Sequence, residues 1–273
     1  MADFGREKLS YHLYTDKYAN SFRKCLLIPS FNGHFFLNLC YFQFVSFHMR
    51  LIKLIISFSL LVTFVSSCFR DELTQDILVY SNDFESNDLT DIIGGKIMTF
   101  DNNEVIGNFN NDGFRLSLNG LPDHEYLFVS FDLLIHDTWD GNFNGFENDF
   151  PDSWLMELNS ELNLIRGSNI LFETTFSNTP CDSNLCLWQS YPNSYPFLFA
   201  PQTGRSSTAP GLCAFADRSN GTSIYRIQKT LQHKDKAVVF DFYDKLYQPN
   251  APSQMCDESW SMDNLQIRVL TIN

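Results

Sequence analysis

Basic residues are scarce in this chain. Its 273 residues include 19 Lys and Arg against 32 Asp and Glu, which gives a formal net charge of −13. Proteins that bind nucleic acid neutralise the phosphate backbone with clusters of Lys and Arg, and this sequence has none. We therefore expect no nucleic-acid partner.

Sequence motifs of common catalytic sites are also missing. There is no Gly-x-Ser-x-Gly elbow, no His-Glu-x-x-His zinc helix and no glycine-rich phosphate loop. Glu157 and Glu161 have the wrong spacing for the Glu-x-Asp-x-x-Glu motif of laminarinase-like sandwich hydrolases, and the histidines are isolated. These absences favour a binding protein over an enzyme.

Helical periodicity is absent over any useful length, and short apolar runs take its place. The chain has 27 Phe and 11 Tyr, and turns rich in Asn, Asp, Gly and Pro separate its β-branched and aromatic runs. Predicted strands are DILVYS, KIMTF, FRLSL, EYLFVSFDLLI, SWLMEL, ILFETTF, SIYRIQKTL, AVVFDFY and LQIRVLTI. This pattern predicts one all-β domain, an antiparallel β-sandwich (jelly roll), with a long surface insert at residues 178–222.

The N-terminal part contains a segment typical of a secretory signal. Arg50 and Lys53 precede an apolar run of about 14 residues, shorter than the roughly 20 that span a bilayer. The ending Val65-Ser66-Ser67-Cys68 resembles the lipobox of bacterial lipoproteins, which implies lipidation of Cys68 and a membrane anchor at the bacterial cell envelope. The predicted divisions are a leader (1–48) before a true start at Met49, a signal peptide (49–67), an anchor and tether (68–75) and the β-sandwich (76–273). Alternatively, the apolar run at 35–47 forms a hydrophobic hairpin with the segment that follows it.

Four of the seven cysteines lie beyond the lipobox. An even number in an exported domain predicts two disulfides, for which three pairings exist. We favour Cys181 with Cys186, which closes a local loop, and Cys213 with Cys256. Zinc is the rival interpretation, but the spacing and the absence of a nearby histidine disfavour it.

The two ends of the predicted domain carry a family resemblance. YSNDFES and DESWSMDNLQIRV resemble the ends of jelly-roll modules such as carbohydrate-binding modules and MAM domains, and FDLLIHDTWDGN, FETTFSN and QSYPN resemble sandwich modules of bacterial surface proteins. In the carbohydrate-binding relatives, the first and last strands lie side by side and bracket a structural calcium. The resemblance therefore implies calcium ligands at Asp83, Glu85 and Asp263, with Asn264 beside them.

A second group of oxygen-bearing side chains follows the longest predicted strand. In HDTWDGNFNG, Asp137, Asp140 and Asn142 either form a polar turn or bind a second calcium ion.

Aromatic residues could form a sugar-stacking platform. The candidates are Trp139, Trp154, Trp188, Tyr191 and Tyr195. Trp188 and Tyr191 are the preferred ligand-binding pair because they lie in the predicted insert, whereas Trp154 and Trp260 are expected to be buried. The sequence thus predicts a non-catalytic, calcium-stabilised binding or adhesion module on a lipid anchor, with a glycan or a surface protein as its partner. The alternatives are a glycan-cleaving enzyme and a structural protein of the envelope.

Overall fold

Strands dominate the protein. A computed structural model describes residues 72–143, 150–159, 167–248 and 251–272, together with the single residue Ile52. Apart from Ile52, these residues belong to one compact unit, Asp71–Asn273. A four-residue helix, α1 (Gln254–Asp257), precedes the last strand. The strands are β1 (Leu73–Asn82), β2 (Ile92–Ile93), β3 (Ile97–Phe100), β4 (Asn103–Phe109), β5 (Gly113–Asn119), β6 (Tyr126–Asp137), β7 (Ser153–Asn159), β8 (Ile170–Thr175), β9 (Ser207–Ala209), β10 (Thr222–Gln232), β11 (Ala237–Lys245) and β12 (Glu258–Ile272).

The larger sheet is built around the long strand β12. Its order is β3-β4-β12-β6-β10-β9, and β1 also pairs with β12. Strand β6 pairs with one edge of β12 along most of its length. The other edge of β12 pairs with β4 at Trp260 and Met262, and with β1 from Leu265 onward. The change of partner coincides with a register shift after Asp263 and with a left-handed backbone (φ 52°) at Asn264. The first and last strands are therefore neighbours, as the resemblance implied.

The smaller sheet has the order β2-β5-β11-β7-β8, and every pairing in it is antiparallel. Most consecutive strands lie in different sheets: β4, β6, β10 and β12 belong to the larger sheet, and β5, β7 and β11 belong to the smaller one. Such crossovers between two packed antiparallel sheets characterise a jelly roll. The predicted all-β sandwich is confirmed.

Aromatic rings fill the space between the sheets. Every second residue of β6 from Leu127 to Ile135 faces this core, as the two-residue period of a strand requires. Trp154 of β7 meets Trp260 of β12 edge-on, with ring centroids 5.8 Å apart, and Phe131 lies 5.5 Å from Trp154. Each such burial contributes about 1.5–3 kcal/mol to folding, so this cluster provides much of the driving force.

All nine predicted strands are present, but β2, β4 and β9 were missed, and β12 begins seven residues before the predicted run LQIRVLTI. The β4 sequence NEVIGNF contains Asn and Gly, which are typical of turns. Gly107 is needed there because a Cβ at this position would collide with Ser261 of β12. At the other end of the domain, β1 begins at Leu73, whereas the predicted start was residue 76.

Both predicted disulfides are confirmed. Cys181–Cys186 closes a local loop in the insert, and Cys213–Cys256 ties the end of the insert to α1. The insert itself contains β9 and an isolated bridge between Gln189 and Phe199. Its remaining backbone forms turn hydrogen bonds and hydrogen bonds to side chains in place of a sheet ladder.

The leader, the signal segment and the lipidation site at Cys68 lie outside the described residues, as does the alternative hairpin, so these remain predictions. Among the helices that are described, none is long and apolar enough to cross a membrane.

Candidate functional site

The polar stretch after β6 holds the insert in place. Asp137 is fully buried, and its carboxylate accepts the backbone N–H groups of Cys213, at 3.1 Å, and of Phe215, at 2.9 Å. Burial raises the pKa of Asp137, and these N–H groups lower it in part. Its oxygens thus replace the missing sheet partners of the insert.

Asn142 binds a different part of the insert. Its backbone N–H donates to the Trp188 carbonyl, and its Nδ2 donates to the Phe197 carbonyl, both at 2.7 Å. Its Oδ1 accepts the hydroxyl groups of Ser190, at 2.8 Å, and of Thr175. Through its backbone and its side chain together, Asn142 therefore contacts the segment at Trp188, Ser190 and Phe197.

Asp140 faces a third environment, made of other acidic groups. Its backbone N–H donates to Asp152 Oδ2 at 3.1 Å, and burial together with the charge of Asp257 raises the pKa of its carboxyl group to about 6. Asp152 and Glu258 are both buried, and burial together with the negative charges of neighbouring carboxylates raises the pKa of both.

The three predicted ligands Asp137, Asp140 and Asn142 therefore have separate partners and do not converge. In the described part of this stretch, residues 136–143, Asp137 and Asn142 form hydrogen bonds with the backbone of the insert, as the turn alternative expects. A calcium ion here stays a prediction.

The predicted calcium ligands of the first and last strands lie closer together. Asp263 accepts Asn103 Nδ2 at 2.8 Å, and Glu85 accepts a backbone N–H of β4 at 3.0 Å. Burial raises the pKa of Asp263, with further contributions from the negative charges of Asp132 and Asp83, while its hydrogen bonds lower it. The carboxylates of Asp83 and Asp132 thus interact electrostatically with that of Asp263.

Nowhere in the described ranges are three or more His, Cys, Asp or Glu side chains arranged to hold one metal ion. A calcium ion needs six to eight oxygens, so an ion near Asp263 would have to complete its shell with main-chain carbonyls and water. Calcium at this position stays a prediction.

The predicted aromatic platform is divided by the fold. Trp188 is 45% exposed, but the Tyr191 ring packs against Phe176 and Tyr225, with centroid distances of 5.2 and 5.0 Å. Tyr191 is therefore half-buried at the edge of the core, and its role as a ligand-binding partner of Trp188 stays a prediction. Trp154 and Trp260 are buried as predicted, and Trp139 is buried too.

An aromatic groove of about 560 Å³ lies where the ends of β7, β8 and β11 meet. Its exposed rings are Phe150, Tyr195 and Tyr247, which are 70%, 39% and 42% exposed. Glu173 and Lys245 add one carboxylate and one ammonium group to its lining. A mostly apolar concave surface with a few polar groups is the usual composition of a small-molecule site.

Sequence reasoning considered Tyr195 but missed Phe150 and Tyr247. Both lie just outside a predicted strand, Phe150 before SWLMEL and Tyr247 after AVVFDFY, and a proline follows within three residues of each. An aromatic residue at a strand end, beside a proline that prevents further pairing, is a signal that could have identified this groove.

A second groove, of about 330 Å³, crosses the larger sheet and is mainly polar. Its centre is the ion pair between Arg226 and Asp132, and Ser130, Gln228 and Gln266 surround it. The aromatic residue that borders it, Phe131, is buried and offers no stacking face.

One carboxylate pair is relevant to the enzyme alternative. Glu157 and Asp241 are register partners on β7 and β11, and Asn159 Nδ2 donates to both. Both acids are buried, and Glu157 also accepts the Tyr243 hydroxyl. The arrangement is a hydrogen-bonded network within the sheet.

No protein-family model matches the chain, and no curated protein matches it either. The solved structures that resemble this chain include two carbohydrate-binding modules. The C-terminal CBM6 of LamC, a marine laminarinase from Zobellia galactanivorans, has 12% identity and a TM-score of 0.28, with 71% of this chain and 97% of that one covered. The carbohydrate-binding module CBM6cm-2 from Cellvibrio mixtus lichenase 5A, solved with cellotriose, has 9% identity and a TM-score of 0.29, with 70% and 97% covered. Because both the sequence identities and the TM-scores are low, neither neighbour bears on the function of this chain.

Proposed function

We propose that this β-sandwich is a non-catalytic binding module whose ligand is a glycan, bound in the aromatic groove. The observation that carries the proposal is the exposure of three aromatic rings, Phe150, Tyr195 and Tyr247, around a single concave surface. Flat aromatic faces pack on the apolar faces of pyranose rings, and burying them on a ligand removes a costly apolar surface from water. Glu173 and Lys245 supply hydrogen bonds for sugar hydroxyl groups.

Binding is favoured over cleavage by the chemistry of the groove. Glycoside hydrolysis by the usual route needs two carboxyl groups that flank the scissile bond, about 5–10 Å apart. Among the described residues that line the groove, Glu173 supplies a carboxylate and Lys245 an ammonium group. The acids next to lining residues, Asp152 and Asp244, are buried, and each accepts two backbone N–H groups.

We further propose that the module is exported and anchored through a lipid on Cys68. Two disulfides support export, because such bonds persist in oxidising compartments outside the cytoplasm. Mass spectrometry of the membrane-extracted protein tests the anchor: we expect an acylated Cys68 at the mature N-terminus. Native peptides from residues 1–48 would contradict it.

The groove is tested with a glycan array on the whole protein, followed by calorimetry on single variants. Tyr195→Ala and Tyr247→Ala should each weaken binding at least tenfold, which is about 1.4 kcal/mol. Trp188→Ala removes an exposed aromatic side chain that does not line the groove, so its affinity should stay at the wild-type value. Loss of binding in Trp188→Ala alone would move the site to the platform predicted from the sequence. Absence of binding to every glycan would favour a structural role in the envelope.

A further inference from the structure

The wall of the groove that carries Tyr195 is an irregular segment with turn hydrogen bonds and single hydrogen bonds to β8, from the Tyr191 and Tyr195 N–H groups, but with no continuous sheet ladder. It leaves the isolated bridge at Gln189 and returns to it at Phe199. Between these residues, the Tyr195 backbone N–H donates to the Glu173 carbonyl of β8 at 3.0 Å. A segment without a sheet ladder opens locally at low free energy, so the position of Tyr195 depends on individual side-chain contacts.

Asn142 makes the contacts that hold both ends of this segment. Its backbone N–H donates a hydrogen bond to the Trp188 carbonyl, and its Nδ2 donates one to the Phe197 carbonyl. Its Oδ1 accepts a hydrogen bond from the Ser190 hydroxyl. The Ser190 hydroxyl also lies 2.8 Å from the Phe197 carbonyl. Phe197 is two residues from Tyr195, so these bonds fix the chain next to the ring.

We infer that Asn142 is a positioning residue for the groove: it does not line the groove, yet it sets ligand affinity by fixing the wall that carries Tyr195. This inference rests on the proposed function. An amide is required because the position needs a donor for the Phe197 carbonyl and an acceptor for two hydroxyl groups at once. The substitution Asn142→Asp would remove the donor, and Asn142→Ala would remove both the donor and the acceptor.

The chain offers a matched control for this experiment. Asn178 is also an amide that anchors the insert, since its Nδ2 donates to the Ile135 carbonyl at 2.8 Å and to the Asp137 carbonyl at 3.0 Å. These partners lie at the end of β6 and not in the Tyr195 segment. Replacing Asn178 should therefore destabilise the protein without changing the groove of the folded molecule.

The test uses the whole protein at 20 °C with Asn142→Asp, Asn142→Ala, Ser190→Ala and Asn178→Ala. Calorimetry measures affinity for whichever of cellotriose, xylotriose and chitotriose the wild type binds most tightly. Amide hydrogen exchange measures the protection of the Tyr195 N–H, which needs no ligand. Both Asn142 variants should bind the sugar at least tenfold more weakly and lose protection of the Tyr195 N–H. Ser190→Ala should show a smaller loss of affinity and of protection. Asn178→Ala should have a lower melting temperature but an unchanged affinity.

Wild-type affinity and wild-type Tyr195 protection in the two Asn142 variants would overturn the inference. So would an equal loss of affinity in Asn178→Ala, because a general loss of stability would then explain the result. If the wild type binds none of the three sugars and no glycan on the array, the proposed function fails, while the exchange of the Tyr195 amide still decides whether Asn142 positions the wall.

Discussion

Arg115 and Asp241 form a bidentate ion pair on the smaller sheet. Arg115 Nε lies 2.9 Å from Asp241 Oδ1, and a terminal guanidinium nitrogen lies 2.7 Å from Oδ2. The two residues are register partners on β5 and β11, and the Asp241 side chain is only 2% exposed. The carboxylate thus depends on this arginine for its main charge partner.

Replacing the arginine should leave Asp241 buried without its opposite charge. We expect Arg115→Met to lower the free energy of unfolding by about 3–5 kcal/mol. Arg268→Met is the control, since Arg268 and its partner Asp76 are 31% and 38% exposed; its loss should stay at about 1 kcal/mol or less. Urea unfolding measures both values, and equally small losses would show that Asp241 is stabilised by other groups.

The two disulfides should differ in their contribution to stability because they close loops of different length. Their sequence separations are 5 residues for Cys181–Cys186 and 43 residues for Cys213–Cys256. Loop-closure entropy gives about 2 kcal/mol for the short loop and about 4 kcal/mol for the long one. Urea unfolding of the two double Cys→Ser variants checks this order. A larger loss from the short loop would contradict the entropic account.

The strands could be predicted from the sequence because strand periodicity is a local signal. Apolar residues that alternate along β6 and β12 face one core, and each predicted run needed only its own residues to be recognised. β4 escaped because Asn and Gly in NEVIGNF are turn residues. The real role of Gly107, a close approach to β12, depends on a strand at the far end of the chain.

The functional surface could be predicted only in part, for a chemical reason. Carboxylate and amide oxygens suit calcium, but they suit backbone N–H groups equally well, and the sequence of HDTWDGNFNG cannot distinguish the two uses. In the structure, the side chains of Asp137 and Asn142 form hydrogen bonds with the backbone of the insert. The groove combines Phe150, Tyr195 and Tyr247 from three separate parts of the chain, so no local pattern contains it.

His136 should make the protein sensitive to acid. It is fully buried between the hydroxyl groups of Thr222, at 2.9 Å, and Ser261, at 3.0 Å, and burial lowers its pKa to about 3. The unfolded chain binds a proton near pH 6.5 and the folded chain does not, so stability contributed by this neutral ring is lost as pH falls from 6.5 towards 3.

The expected size of this effect is about 1.4 kcal/mol per pH unit within that window. His136→Gln removes the titrating group, so the stability difference between wild type and variant should shrink by this amount for each unit of acidification. Urea unfolding at pH 7.0, 5.5 and 4.5 measures the difference. A difference that stays constant across these three values would mean that the ring is protonated in the folded state.

Calcium near the first and last strands is testable by melting. The negative charges of Asp132 and Asp83 contribute to the raised pKa of Asp263, and a bound cation would offset their repulsion of its carboxylate. If calcium binds only the folded protein, a concentration a hundredfold above its dissociation constant adds about 2.7 kcal/mol of stability. The melting temperature of the wild type should therefore rise with calcium and fall with a chelator, whereas Asp263→Ala should no longer respond. Asp137→Ala is the control: it should lower the melting temperature by freeing the insert but keep the calcium response, because Asp137 is committed to the N–H groups of Cys213 and Phe215. If neither calcium nor chelator changes the melting temperature of the wild type, the calcium prediction is wrong. The role of Asp263 would then be to accept a hydrogen bond from Asn103 at the point where β12 changes its partner.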